Sequence, residues 1–117
     1  MKIVVSAKGA TKDSDVDPRF GRAAHFLVYD AGTDGWEAVA NTQALSAAHG
    51  AGIQAAETVC RQGASILITG HVGPKAFTVL SAGGMRVYRG DGRNAADAVV
   101  AFRDGHLPEI SGDAGKV

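Results

Sequence analysis

The chain has 117 residues, close to the commonest size of a single domain, and it can bury a hydrophobic core without disulfide or metal staples. Twelve basic and twelve acidic residues balance, so no overall field attracts nucleic acid or an anionic membrane, and any anion site must be local. The single cysteine, Cys60, excludes an internal disulfide, a cysteine-rich zinc site and a four-cysteine iron–sulfur site within one chain.

The first third of the chain predicts three consecutive strands. Residues 2–6 form a β-branched apolar run typical of a buried strand, and a polar loop over 7–22 follows. Residues 25–30 and 36–40 flank a five-residue connection over 31–35, with glycines where a hairpin needs them. We therefore expect an antiparallel meander.

The second half predicts helices that alternate with strands. A helical period over 52–62 places four residues on one apolar face, namely Ile53, Ala56, Val59 and Cys60. Residues 66–69 form an apolar strand, and Pro74 favours a helix start. Residues 85–89 form a short strand, and Asn94 is placed to cap a third helix.

This order of elements predicts an α/β protein with a mixed five-stranded sheet flanked by helices. The strand order 3-2-1-4-5 with strands 1, 4 and 5 parallel satisfies both the hairpins and right-handed crossovers, and it is the order of the three-layer ribonuclease H-like fold. We expect one domain over residues 1–107 and a flexible C-terminal tail over 108–117. The chain starts without an apolar leader or membrane-spanning stretch, which predicts a cytoplasmic protein.

Three loops that combine glycines with cations are predicted at the carboxyl edge of the parallel strands, where ligands bind in such sheets. They cover residues 7–22, 70–75 and 89–93. Backbone N–H groups can approach an anion closely at glycines, and a helix start adds its positive dipole end. A tight turn with solvated arginines remains the alternative for residues 17–22. The candidate binding residues are Arg19, Phe20, Gly21, Arg22, His49, Gly70, His71, Val72, Gly73 and Lys75.

Catalysis is not indicated by any motif. Ser6 and Thr69 stand at the strand ends where a two-metal nuclease of this strand order needs carboxylates. The sequence has no Gly-Lys-Ser/Thr phosphate loop and no Gly-x-Ser-x-Gly elbow. We expect a binding protein rather than an enzyme, without assigning direct metal ligands.

Four ordered motifs resemble the dinitrogenase iron–molybdenum cofactor biosynthesis family, which includes the nitrogenase cofactor carriers. They are DPRFGRA at 17–23, HGAG at 49–52, TGHVGPKAF at 69–77 and GMRVY at 84–88. The resemblance implies a ribonuclease H-like fold and non-covalent carriage of an anionic metal–sulfur cluster. Its stand-alone members imply a molybdenum–copper–sulfide cluster or a related thiomolybdate cluster.

The predicted crevice offers the two kinds of group that such a cluster needs. Donors would come from Arg19, Arg22, Lys75 and the backbone of residues 70–73, and apolar contacts from Phe20, Val72 and Ala76. Some carriers of this family offer a cysteine or a histidine-rich tail as a direct metal ligand, and this chain does not match them in that feature. We expect the cluster and a protein that receives it as partners, and no nucleic acid or membrane. The alternative is a regulatory or scaffold module whose anion pocket binds a partner protein or a nucleotide-like ligand.

Overall fold

The computed structural model describes residues 1–41 and 51–110. The first half contains β1 (Lys2–Ala7), the 3-10 turn η1 (Phe20–Arg22), β2 (His25–Asp30) and β3 (Gly35–Ala40). The remaining described elements are α1 (Ala51–Cys60), β4 (Ile66–Thr69), α2 (Pro74–Ala82), β5 (Arg86–Arg89), α3 (Ala95–Arg103) and β6 (Glu109–Ile110).

The described strands form one mixed sheet in the order β3-β2-β1-β4-β5-β6. β1 pairs in parallel with β4 and β4 with β5, whereas β2 and β3 form the antiparallel meander beside β1. Ile3 thus lies opposite Tyr29 on one side and Ile66 on the other. The α/β class, the parallel strands 1, 4 and 5 and the order of the first five strands are confirmed.

The predicted count of five strands is wrong, because residues at the start of the predicted tail form β6. Val87 and Tyr88 of β5 pair antiparallel with Ile110 and Glu109. The Arg86 guanidinium donates to both carboxylate oxygens of Glu109, at 2.8 and 3.1 Å. β5 would otherwise expose an unpaired edge, which the two-residue strand covers. Residues 111–117 of the predicted tail lie outside the described residues.

The molecule has three layers, with one buried hydrophobic cluster on each face of the central sheet. α1 and α2 cover one sheet face, where Val4 and Leu67 are buried among residues from both helices. α3 covers the other face and packs on Ile3, Val5 and their neighbours. β1 and β4 are buried on both faces, which explains their continuous apolar sequences. None of the described helices is long and apolar enough to cross a membrane.

The starts of α2 and α3 follow their predicted signals. Pro74 occupies the first turn of α2 directly after Gly73. At α3 the Asn94 side chain accepts a 2.8 Å hydrogen bond from the Asp97 backbone N–H. This bond satisfies one of the N–H groups that lack a partner within the helix.

Replacement of the α3 cap tests this local contribution to stability. Asn94→Ala removes the acceptor and should lower the free energy of unfolding by about 0.5–2 kcal/mol, as measured by urea denaturation. Asn94→Asp keeps a side-chain acceptor beside the positive helix end and should preserve stability. Equal losses in both variants would contradict a capping role.

Candidate functional site

The loop between β1 and β2 is joined to the end of β4 by backbone hydrogen bonds. His71 N donates to the Pro18 carbonyl at 2.7 Å, and Phe20 N donates to the His71 carbonyl at 3.3 Å. A Cβ at Gly70 would lie 2.5 Å from Pro18 Cα, so this crossing requires glycine. The third predicted loop joins them through Val16 N, which donates to the Arg93 carbonyl at 3.0 Å, so all three loops meet at the carboxyl edge of the sheet.

Asp17 fixes the shape of this loop from inside. Asp17 is 2% exposed, and its carboxylate Oδ1 accepts the Arg19 backbone N–H at 2.9 Å. Asp17 N donates to the Ser6 carbonyl at 2.8 Å. Ser6 Oγ lies 2.7 Å from both the Asp17 carbonyl and Thr69 Oγ1. Hydroxyls therefore occupy the strand ends and bind the loop to β1 and β4.

A cleft of about 410 Å³, termed the main cleft, opens between η1, the first described turn of α1 and the first turn of α2. Its lining residues are Phe20, Gly21, Gly52, Ile53, Gly73, Pro74, Lys75 and Ala76. Phe20 is 2% exposed and packs on Phe26 with ring centroids 5.4 Å apart. One wall of the main cleft is thus continuous with the hydrophobic core.

Close backbone contacts shape the main cleft. A Cβ at Gly21 would lie 3.0 Å from Gly52 Cα and N, so η1 packs directly on the backbone of α1. The Asn41 side chain donates to the carbonyls of Gly21 and Ala23, at 3.3 and 2.9 Å, and holds η1 in place. A Cβ at Gly52 would lie 3.3 Å from the Ala76 Cβ, so glycine there also leaves space between α1 and α2.

The start of α2 gives the main cleft its positive side. Gly73 precedes the helix without a side-chain cap, and its carbonyl accepts the Phe77 N–H at 2.9 Å. Pro74 has no N–H, so the first-turn amides belong to Lys75 and Ala76, which both line the cleft. Together with the Lys75 ammonium, these amides offer a local positive potential to an anion.

A smaller side cleft of about 150 Å³ contains a different group of the predicted residues. Gly70, His71 and Val72 line it together with Arg89 and Ile110. Arg89 Nε donates to Asp91 at 3.1 Å, whereas Val72 is 3% exposed and belongs to the core. The structure therefore separates the predicted residues of the β4–α2 loop into two neighbouring concavities.

Arg19 and Arg22, both predicted binding residues, stand on either side of Phe20 and Gly21 in the sequence. Neither arginine is among the described lining residues of the main cleft. Both side chains are exposed, and Arg19 Nε lies 3.4 Å from the Asp17 carboxylate. His49 lies outside the described residues. Sequence reasoning missed Ile53 as a lining residue, because its helical period placed it on the core face. The signal that could have identified Ile53 as a lining residue is its position in the first described turn of α1, at the edge of the sheet where ligands bind.

Near the main cleft, the described side chains do not form a set that could coordinate a metal ion directly. The described residues contain no group of three or more His, Cys, Asp or Glu side chains arranged to hold a metal ion. Cys60 lies about 12 Å along α1 from Gly52, and its Sγ is 3.9 Å from the Val79 carbonyl. Burial, followed by the nearby Glu57 charge, raises the pKa of the Cys60 thiol, which opposes formation of the thiolate.

Comparison with known proteins places these features in a family. The model of the family described as "Dinitrogenase iron-molybdenum cofactor" matches residues 1–105, and the chain belongs to this family. The matched region contains both the main cleft and the side cleft except for Ile110.

The chain is also similar to two solved structures and to a curated relative. The apo form of the orange protein from Desulfovibrio gigas is 46% identical with a TM-score of 0.90, covering 94% of this chain and 92% of that one. A Thermotoga protein proposed to be a NifB protein is 36% identical with a TM-score of 0.81, covering 92% and 91% of the two chains. A Methanocaldococcus jannaschii protein without an assigned function is 27% identical over 81% of this chain and 82% of its own length.

The contact between Gly70 and Pro18 can be tested separately from ligand binding. Gly70→Ala pushes Cβ into the Pro18 backbone and should lower the free energy of unfolding by about 1–3 kcal/mol. Gly73→Ser is the matched control, because a Cβ at Gly73 meets no described atom within 4 Å. Urea denaturation of both variants measures the difference, and similar stabilities would show that the crossing tolerates a side chain.

Proposed function

We propose that this protein binds and carries an anionic metal–sulfur cluster non-covalently in the main cleft, and that it does so as a carrier rather than as an enzyme. The favoured cargo is a molybdenum sulfide cluster, with or without copper. The observation that carries the proposal is one cleft that joins Lys75 and the uncapped α2 amides to walls built by Phe20 and Ile53.

This combination matches the chemistry of a thiomolybdate-type anion. Such an anion carries negative charge on soft, polarisable sulfur, so it favours charge-assisted donors beside apolar surface over a fully hydrated site. Lys75 and the amides of Lys75 and Ala76 provide donors, whereas Ile53 and the small exposed part of Phe20 provide apolar contact. Each hydrogen bond to a charged group contributes roughly 1.5–3 kcal/mol, so a few of them can retain a cluster without covalent bonds.

The absence of a described ligand cluster supports retention through hydrogen bonds rather than through protein–metal bonds. A cargo whose metals are already coordinated by sulfide needs no protein ligand, and it can leave the cleft without breaking a metal–protein bond. Family membership and the similarity to the apo orange protein support the same class of cargo.

Reconstitution tests cargo binding directly. Apo protein mixed with tetrathiomolybdate and copper should acquire visible absorption that persists through desalting, with molybdenum and copper measured by elemental analysis. Because the interaction is largely electrostatic, retention should fall as salt rises. A colourless protein after desalting, particularly one that nucleotides stabilise against heat, would favour the regulatory or scaffold module instead.

Neutralisation of one cation tests whether the main cleft holds the cargo. Lys75→Gln removes a charge-assisted donor and should weaken retention about tenfold or more, since such a bond contributes roughly 1.5–3 kcal/mol. Cys60→Ser is the control, and it should retain colour and metal because Cys60 lies at the other end of α1. Loss of the cluster in Cys60→Ser with retention in Lys75→Gln would reverse the assignment.

Gly73→Ser separates binding from stability within one variant. Serine at this position can accept a hydrogen bond from a first-turn amide of α2 and should keep or slightly raise stability. The same bond occupies an amide that the cluster would use, so cluster retention should fall. Unchanged retention in a stable Gly73→Ser protein would exclude these amides from the binding site.

A further inference from the structure

A second concavity lies on the α3 side of the sheet, whereas the main cleft lies on the α1 and α2 side. This α3 groove has a volume of about 310 Å³ and is lined chiefly by Lys12, Tyr29, Asp34, Trp36, Val100 and Arg103. It shares no lining residue with the main cleft. The cargo site proposed above therefore leaves this groove without a function.

The groove exists because α3 packs chiefly on β1 and leaves the β2–β3 end of this sheet face partly uncovered. Trp36 of β3 is half-buried and packs on Tyr29 with ring centroids 4.9 Å apart. On the facing helix, Val100 is 58% exposed. An aromatic floor and an aliphatic wall thus face a space of ligand size, since ligand pockets typically measure about 300–1,000 Å³.

A hydrogen-bonded network fixes one end of the groove. The hydroxyl of Tyr29 donates to Asp34 Oδ1 at 2.6 Å and accepts from Arg103 Nη1 at 3.1 Å. Asp34 has a φ of 58°, and it is the only non-glycine residue with positive φ in the described parts of the chain. Aspartate tolerates this conformation better than most residues. The network orients Arg103, whose guanidinium carries further donors.

Lys12 provides a cation toward the other end of the groove. Its carbonyl accepts the Ala96 N–H at 2.9 Å, which holds this part of the loop at the first turn of α3. Arg103 lies in the last turn, about 10 Å further along the helix axis. The two ends therefore differ, because Asp34 accompanies Arg103 whereas the described lining near Lys12 carries no carboxylate.

We propose that the α3 groove binds a small planar aromatic anion, with its ring against Trp36 and its single anionic group at Lys12. The indole and valine surfaces supply the apolar contact, and Arg103 adds a second cation whose position the Tyr29 network fixes. A second anionic group at the far end would gain little, because the Asp34 carboxylate there offsets the charge of Arg103. Aromatic carboxylates and nucleoside phosphates share the required chemistry.

The chain contains one tryptophan, so the indole N–H of Trp36 gives a single reporter in a ¹H–¹⁵N NMR spectrum of the full-length protein. Titration with 2-naphthoate should shift this signal saturably. The neutral analogue 2-naphthamide should bind at least about tenfold more weakly, because it keeps the ring and loses the charge. Naphthalene-2,6-dicarboxylate should bind no more tightly than 2-naphthoate, because Asp34 offsets the charge of Arg103 at the far end.

Two further probes distinguish the sources of such an anion. Tighter binding of AMP assigns the natural ligand to nucleotides, and tighter binding of indole-3-acetate assigns it to aromatic carboxylates. Either result supports an aromatic-anion site. Absence of any shift of the Trp36 signal at millimolar concentrations of all these probes overturns the proposal.

Variants locate the binding to the groove. Lys12→Gln should weaken 2-naphthoate binding about tenfold, and Val100→Glu, which places a carboxylate at an exposed position in the groove, should weaken it at least as much. Arg61→Gln, at the residue that follows α1, is the matched control and should leave binding unchanged. Equal binding in Lys12→Gln, Val100→Glu and the control contradicts the proposal. None of these residues lines the main cleft, so cluster retention tests a separate proposal.

Discussion

The backbone of residues 17–20 crosses the end of β4 at contact distance, and the arrangement of the site depends on this crossing. His71 both donates to Pro18 and accepts from Phe20, while Gly70 leaves the space that the crossing needs. This approach positions η1 beside the first turns of α1 and α2. Without it, the wall of the main cleft that carries Phe20 and Gly21 would be positioned only by the Asn41 hydrogen bonds and by the packing of Gly21 on α1.

Charge in this molecule is organised locally rather than globally. The chain has no net charge at neutral pH, with the histidines counted as neutral. Its main cleft nevertheless combines a lysine with helix amides that no side chain caps. The nearby Asp17 carboxylate is buried and bonded within its own loop, so its charge acts on Arg19 and the loop backbone. A neutral protein can therefore present an anion-binding site without attracting polyanions over its whole surface.

The sequence predicted the sheet well because its strands carry strong local signals. The apolar runs of β1 and β4 and the glycine-bearing hairpin define the strands, and handed crossovers then restrict their order. β6 was missed because two residues have no measurable period and depend on the open edge of β5. At the candidate site, the sequence indicated that three loops meet at one edge of the sheet, as they do in the structure, but not how their side chains divide between two clefts. That division depends on close contacts such as Gly21 against Gly52, which are far apart in sequence.

The β1–β2 loop is hydrogen-bonded to residues that come much later in the chain, so its folding depends on them. Val16 donates to the Arg93 carbonyl, the Ser14 carbonyl accepts from Ala95, and Pro18 pairs with His71. Each of these contacts closes a long segment of chain, which is slow relative to local contacts. During synthesis, the loop cannot reach its final form until α3 has left the ribosome. A polypeptide truncated before α3 would therefore lack part of the scaffold that shapes this loop, even if its first strands had paired.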